Sequence, residues 1–233
     1  MATMLSCNSE KNTEPNPFWD KKFRISCVNR GTSIQPTIDE NIIFAGATDN
    51  AGWVMKLNNF GTILWQKKYC GITDNHKFRI NSIQQTTDEG FIVAGAAIDN
   101  SIGDHGDIWY AKLNSDGIPL WQKTGGGSGA EEIISIHQTT DNGYIMGGYT
   151  SSFGAGFQDF WIMKATADGN PVWQKTFGGF EYEAVLDIQP TSDNGCIAVG
   201  HTGSFNVEIY DFWVVKLNSD GSIGWQKSFG DGG

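Results

Sequence analysis

Four glutamates crowd two short stretches: Glu131 and Glu132 in "GGGSGAEE" (125–132), and Glu181 and Glu183 in "GGFEYEA" (178–184). Paired carboxylates are the means of glycoside hydrolysis, one protonating the leaving oxygen while the other serves as base or nucleophile. No motif singles out a pair among these four, so no catalytic residue is assigned and the chain is read as non-enzymatic. Aromatic side chains stand beside the acids and in nearby stretches: Phe153, Phe157, Phe180, Tyr182, Phe205 and Tyr210, with Glu208 among them. Rings interleaved with carboxylates suit a carbohydrate or protein surface, through stacking and hydrogen bonding. These six aromatics are the candidate binding residues. The competing role for them is to cover the ends of neighbouring structural elements.

Metal and nucleophile chemistry find less support. Asp99, Asp104 and Asp107 share the stretch "DNSIGDHGD" (99–107). Their oxygens could hold calcium, but the pattern misses the EF-hand spacing and its closing Glu. No metal or other cofactor is therefore assigned. His76, His105, His137 and His201 do not cluster, and a Ser–His–Asp triad would need convergence in space. Cys7, Cys27, Cys70 and Cys196 show no metal-ligand spacing. Cys196, inside "GCIAVG", reads as a small core residue, and Cys27 and Cys70 are open to pairing.

The elements that position these residues come from a repeat. Trp19, Trp65, Trp121, Trp173 and Trp225 are separated by 46, 56, 52 and 52 residues, and Trp53, Trp109, Trp161 and Trp213 each precede one of the last four by 12. A glycine always stands four residues before the later Trp, as in "GTILWQK", "GIPLWQK", "GNPVWQK" and "GSIGWQK". Segments of the type "SIQQTTDEGFIVAG" recur four times as well. Each unit reads as four antiparallel strands: A ("SIQQT"), B ("FIVAG"), C ("DFWIMKAT") and D ("PLWQKTGG"). Turns rich in Asp, Asn and Gly join A to B and C to D. Four short strands repeating at this period predict an all-β propeller whose indoles wedge successive blades together.

The expected layout is a polar tether (1–16), a lone D strand (17–23) and four blades at about 24–70, 71–125, 126–177 and 178–231. The expected ring is closed or nearly so; the alternatives are an incomplete five-bladed ring or a fragment of a larger propeller. Lys56, Lys112, Lys164 and Lys216 repeat three residues after the strand-C Trp and read as solvated or ion-paired positions. Asp107, Asp159 and Asp211, two residues before three of those Trp, suggest a recurring structural hydrogen bond. The A–B and C–D turns are nearly uniform, whereas the B–C and D–A loops vary from blade to blade. Variable loops on a rigid frame are where binding residues usually sit.

The element "KLNSDGIPLWQK" is similar to the tryptophan-docking repeat of quinoprotein-like propellers. The whole unit, from "TTDNGYIMGGYTSS" through "DFWIMKATADGNPVWQKTFGG", more closely resembles the propeller repeats of secreted bacterial proteins and lipoproteins, plentiful in Bacteroidetes-type bacteria. The first likeness implies a quinone-dependent dehydrogenase as one enzymatic alternative, beside a carbohydrate hydrolase. Such dehydrogenases resemble larger rings of seven or eight blades, so this alternative is disfavoured. The start, "MLSCNSEKNTEPNP", resembles a lipoprotein processing site and implies Cys7 as a lipidation point, although "MATML" is too short for a complete signal.

Composition narrows the partners. Acidic residues outnumber basic ones by 26 to 16, for a net charge of −10. Such a chain repels nucleic acid and anionic lipid, leaving a lipid anchor at Cys7 as the expected membrane link. The reading is a cell-envelope or secreted scaffold that binds a protein or glycan; the further alternative is a purely structural unit of a larger surface protein.

Overall fold

A computed structural model of the chain describes residues 29–48, 51–70, 76–99, 106–205 and 210–230. Cys7, Trp19, Cys27, Asp104, His105 and Glu208 lie outside these residues, as does the lone D strand at 17–23. Sixteen strands follow one another without a helix among the described residues. The first sheet holds β1 (Asn29–Pro36), β2 (Ile42–Thr48), β3 (Gly52–Leu57) and β4 (Ile63–Tyr69). The second holds β5 (His76–Gln85), β6 (Phe91–Asp99), β7 (Gly106–Leu113) and β8 (Pro119–Gly125). The third holds β9 (Glu131–Gln138), β10 (Tyr144–Thr150), β11 (Asp159–Ala165) and β12 (Pro171–Phe177). The fourth holds β13 (Glu183–Pro190), β14 (Cys196–Thr202), β15 (Asp211–Leu217) and β16 (Ile223–Phe229). In each, strands pair in chain order and antiparallel, the arrangement of a propeller blade.

The same turn chemistry recurs at every A–B corner. Glu40, Glu89, Asn142 and Asn194 take the left-handed conformation there. The hydroxyls of Thr37, Thr86, Thr139 and Thr191 each donate to the Asp two residues on. That Asp in turn receives the strand-C lysine: Lys56–Asp39 at 2.7 Å, Lys112–Asp88 at 2.9 Å, Lys164–Asp141 at 2.8 Å and Lys216–Asp193 at 2.8 Å. The repeated lysines are thus ion-paired, each tying its third strand to its own A–B turn.

Contacts between sheets run from first to second, second to third and third to fourth, with β1, β5, β9 and β13 adjacent along the axis. The strand-C indoles Trp53, Trp109, Trp161 and Trp213 are buried. Three of them face back onto the preceding sheet: Trp109 joins Ile43 and Val54, Trp161 joins Ile108 and Tyr110, and Trp213 meets Phe160 at 4.9 Å. The strand-D indoles face forward. Trp65 lies over Gly117, Trp121 over Gly169 and Trp173 over Gly221, the turn glycines of the following sheet. These glycines have φ between +74° and +79°, and a Cβ on any of them would come within about 3.0 Å of the ring. Each Gly-x-x-x-Trp unit therefore carries a socket for the indole behind it and a knob for the turn ahead of it. The propeller-type stacking of blades is as expected; among the described residues the fourth sheet and the first share no interface of the kind that joins the other neighbours. The far face of the fourth sheet stays open, with Phe212 53% and Phe229 56% exposed.

Candidate functional site

Two of the variable loops fuse into one surface. The B–C loop of the third sheet (151–158) and the D–A loop leading to the fourth (178–182) are joined along their backbones. The amide of Phe157 donates to the carbonyl of Glu181 at 3.2 Å, and that of Glu183 to Gln158 at 2.9 Å. Gln158 and Tyr182 form a parallel bridge, and the amide of Gly203 donates to Tyr182 at 2.9 Å.

Beneath this junction lies Glu183, fully buried. Its Oε1 accepts from the Thr202 hydroxyl at 3.0 Å and the Ser204 amide at 3.1 Å; its Oε2 accepts from the Gly179 amide at 2.9 Å. Glu131 repeats the arrangement one sheet earlier, holding Thr150, Ser152 and Gly127. These acids sit at the starts of β9 and β13 and not in loops, which corrects their placement as surface carboxylates. A bulge in every first-to-second strand pairing is the reason. It reverses the inside-outside alternation, so the strand continues inward through residues that read as polar loop. With their oxygens given to backbone amides, Glu131 and Glu183 act as loop anchors.

Glu132, also buried, is equally committed. Asn81 and Arg79 donate to its Oε1 at 2.8 and 3.1 Å, and the Tyr149 hydroxyl to Oε2 at 3.0 Å. Burial, and after it the Glu132 charge, push the Tyr149 hydroxyl up to about 12. Arg79, Glu132 and Tyr149 line a cavity of about 260 Å³ between the second and third sheets. Sequence reasoning missed Arg79 and Tyr149, because neither belongs to a recurring position of the repeat. Of the four glutamates, Glu181 alone is exposed.

The six aromatics divide. Phe153 leans on Trp161 at 6.2 Å and Phe205 meets Trp213 edge-on at 5.6 Å, so these two cover the strand-C indoles. Tyr210 packs edge-on to His201. Phe157 and Tyr182 instead stack on each other, with centroids 5.1 Å apart and planes inclined by 16°; at 60% and 40% they are exposed, as are Phe153, Phe205 and Tyr210, so the mutual stack is what sets the pair apart. Phe180, on the same D–A loop, is 81% exposed. This outward-facing group is held by the fused loops.

The remaining candidates lie elsewhere. Asp107, Asp159 and Asp211 each place a carboxylate against a glycine that follows strand D: Gly126, Gly178 and Gly230. Asp159 also accepts from the Gly156 amide at 3.2 Å. Burial, and then Glu131, raise the Asp107 carboxyl above its ordinary range. Asp99 ends β6 and Asp107 lies in β7; among the described residues no three acidic, His or Cys side chains gather into a metal site. Ser135, His137 and Asp187 do converge on the axial strands, but in an order that activates no nucleophile. Ser135 donates to Asp187 at 2.7 Å, while His137 stands between Gln84 and Gln189, each at 3.1 Å. Burial lowers the pKa of His137 against the opposing pull of Asp187. Cys196 is buried, its thiol pushed up to about 12 by that burial, as a core residue should be; Cys70 is an exposed free thiol.

Fold and rim together define an all-β protein of the propeller type, with blades in series and one fused pair of variable loops. No family model and no curated protein matches the chain. Among solved structures it is similar to the crystal structure of a protein of unknown function from Bacteroides caccae. The two are 11% identical over 89% of this chain and 84% of that one, with a TM-score of 0.44.

Proposed function

We propose that the chain is a non-catalytic binding scaffold whose fused loops present Phe157, Tyr182 and Phe180 to a glycan. The observation that carries this reading is the exposed Phe157–Tyr182 stack on loops fixed by Glu183. A monomeric protein seldom leaves a group of large apolar rings in water without a use for them. Rigid aromatic faces offer broad contact at low entropic cost, and the exposed Glu181 beside them supplies an acceptor for hydroxyl groups. The commitment of Glu131, Glu132 and Glu183 to structural hydrogen bonds speaks against a hydrolase built on them.

The resemblance of the start of the chain to a lipoprotein site, with Cys7 as the acylated residue, supports a place outside the cytoplasm, at the outer membrane or cell surface or in secreted form. Screening on a glycan array, followed by titration calorimetry of any hit, tests the binding function. Phe157→Ala and Tyr182→Ala should each weaken binding about tenfold or more, a loss of about 1.4 kcal/mol, while Phe153→Ala should leave it nearly unchanged. Binding that survives both rim substitutions would place the ligand elsewhere. Capture of a protein in place of a glycan, lost in the same variants, would keep the site and change its ligand class.

A further inference from the structure

The docking rule that joins the four sheets leaves one knob without a socket among the described residues. Trp65, Trp121 and Trp173 each rest on a turn glycine of the next sheet, and Trp173 also donates its indole N–H to the Ser219 carbonyl of that turn at 3.1 Å. Tyr69 and Tyr110 reinforce the first two contacts, each donating to the carbonyl of the same glycine at 2.8 Å. Trp225 occupies the equivalent position on β16 and is 44% exposed. Around it the forward face of the fourth sheet carries apolar side chains, with Lys216 paired to Trp225 and Lys227 to Val214 among them. Phe212 and Val214 correspond to Phe160 and Ile162, which are fully buried against the fourth sheet; Phe212 is exposed and Val214 only half-buried. Leu186 and Phe229 extend the exposed area.

We propose that this face is the seat of a fifth sheet of the same repeat, joined through Gly230, with its own turn glycine resting on Trp225. Continuity with three existing interfaces identifies the occupant, since each is made by a C–D turn and a back-facing strand-C indole. The path of the chain supplies the second reason. Gly126 and Gly178 open the loops that lead to the next sheet, each lying against an Asp carboxylate on the third strand of its own sheet. Gly230 lies against Asp211 in the same way, the place that the glycine opening a connection would take. In stacked repeats, stability is a sum of unit and nearest-neighbour terms, so an uncovered interface of this kind is a missing term.

The test is a chain in which residues 178–230 are repeated once after Phe229, with a second version that repeats 126–178 at the same place. Amide hydrogen exchange in β15 and β16 should slow at least about tenfold relative to the unextended chain, and denaturant unfolding should remain a single transition at a higher midpoint. Replacing the added copy of Gly221 by Val in the first version should abolish that protection while the added strands persist. If both extended chains leave exchange in β15 and β16 unchanged, the proposal is wrong. Sedimentation of the unextended chain supplies the rival outcome. Self-association removed by Phe229→Asp would assign the face to a second copy and overturn the fifth sheet.

Discussion

The smallest decisive feature is a glycine that serves two ends at once. Gly169 has φ +75°, and its Cβ position lies 2.6 Å from the Trp121 ring. Gly169→Ala should therefore cost about 1–3 kcal/mol, from left-handed strain together with a displaced indole. Gly31→Ala, at an open position with no atom within 4 Å, should change stability by about 0.5 kcal/mol or less. Denaturant midpoints of the two variants check the contrast. The Lys–Asp pairs give a residue-scale prediction in pH. The Lys164 ammonium first, and the Thr139 hydroxyl after it, hold the Asp141 carboxyl down at about 2. Lys56 and Thr37 lower Asp39 likewise, and Lys216 and Thr191 lower Asp193. At Asp88 burial opposes the shift, but Thr86 and Lys112 outweigh it. A folded pKa below the unfolded one means that the contribution is complete above about pH 4 and disappears as pH falls through about 2. Because the Asp141 side chain is half exposed, solvent screening keeps its share under about 1 kcal/mol. Stability measured between pH 5 and 2 should fall less steeply in Asp141→Asn than in the parent, although the variant starts lower.

At the scale of elements, the loops are held from below by the strands that follow them. Glu183→Ala would leave the Gly179 and Ser204 amides without their acceptor, at a cost of about 2–4 kcal/mol. It should raise amide exchange in 178–182 and 203–205 and, by loosening the Phe157–Tyr182 stack, weaken ligand binding. Exchange mapped by mass spectrometry separates this from a catalytic role, which would leave the loops protected. The second, third and fourth strands of each sheet were legible in the sequence, because the Trp spacing and period-two patterning run through them without interruption. The first halves of β5, β9 and β13 were not, because the bulge at each pairing breaks the period where it was being read. Hence Glu131 and Glu183 looked like rim carboxylates and proved to be buried anchors. The glycine socket was hidden for another reason: the turn alone already accounts for a glycine, so nothing in the spacing asks for a second role. Separating Phe157 and Tyr182 from Phe153 and Phe205 needed the third dimension, since all four read alike as loop aromatics.

Across the whole molecule, one repeated contact acquires different weights from the position of each sheet in the series. Trp121 and Trp173 stand between sheets that are present, and Tyr144 packs edge-on to Trp121 at 5.8 Å. Trp225 stands at the open face. The three indoles share the Trp-Gln-Lys sequence and the same place on the fourth strand of their sheets, so propensity hardly distinguishes them; the neighbour does. Trp121→Ala and Trp173→Ala should each lower stability by about 2–3 kcal/mol, somewhat below the 3–5 typical of a fully buried aromatic because each is only partly covered. Trp225→Ala in the same chain should cost less than about 1 kcal/mol. Urea unfolding of the three variants measures the difference directly. A Trp225 variant as damaged as the other two would mean that the indole holds its own sheet together, and the account of strand-D tryptophans as connectors between blades would fail. If the expected order is found, the stability of this architecture resides in the joints, and each further sheet would add about as much as one more seated indole and its socket.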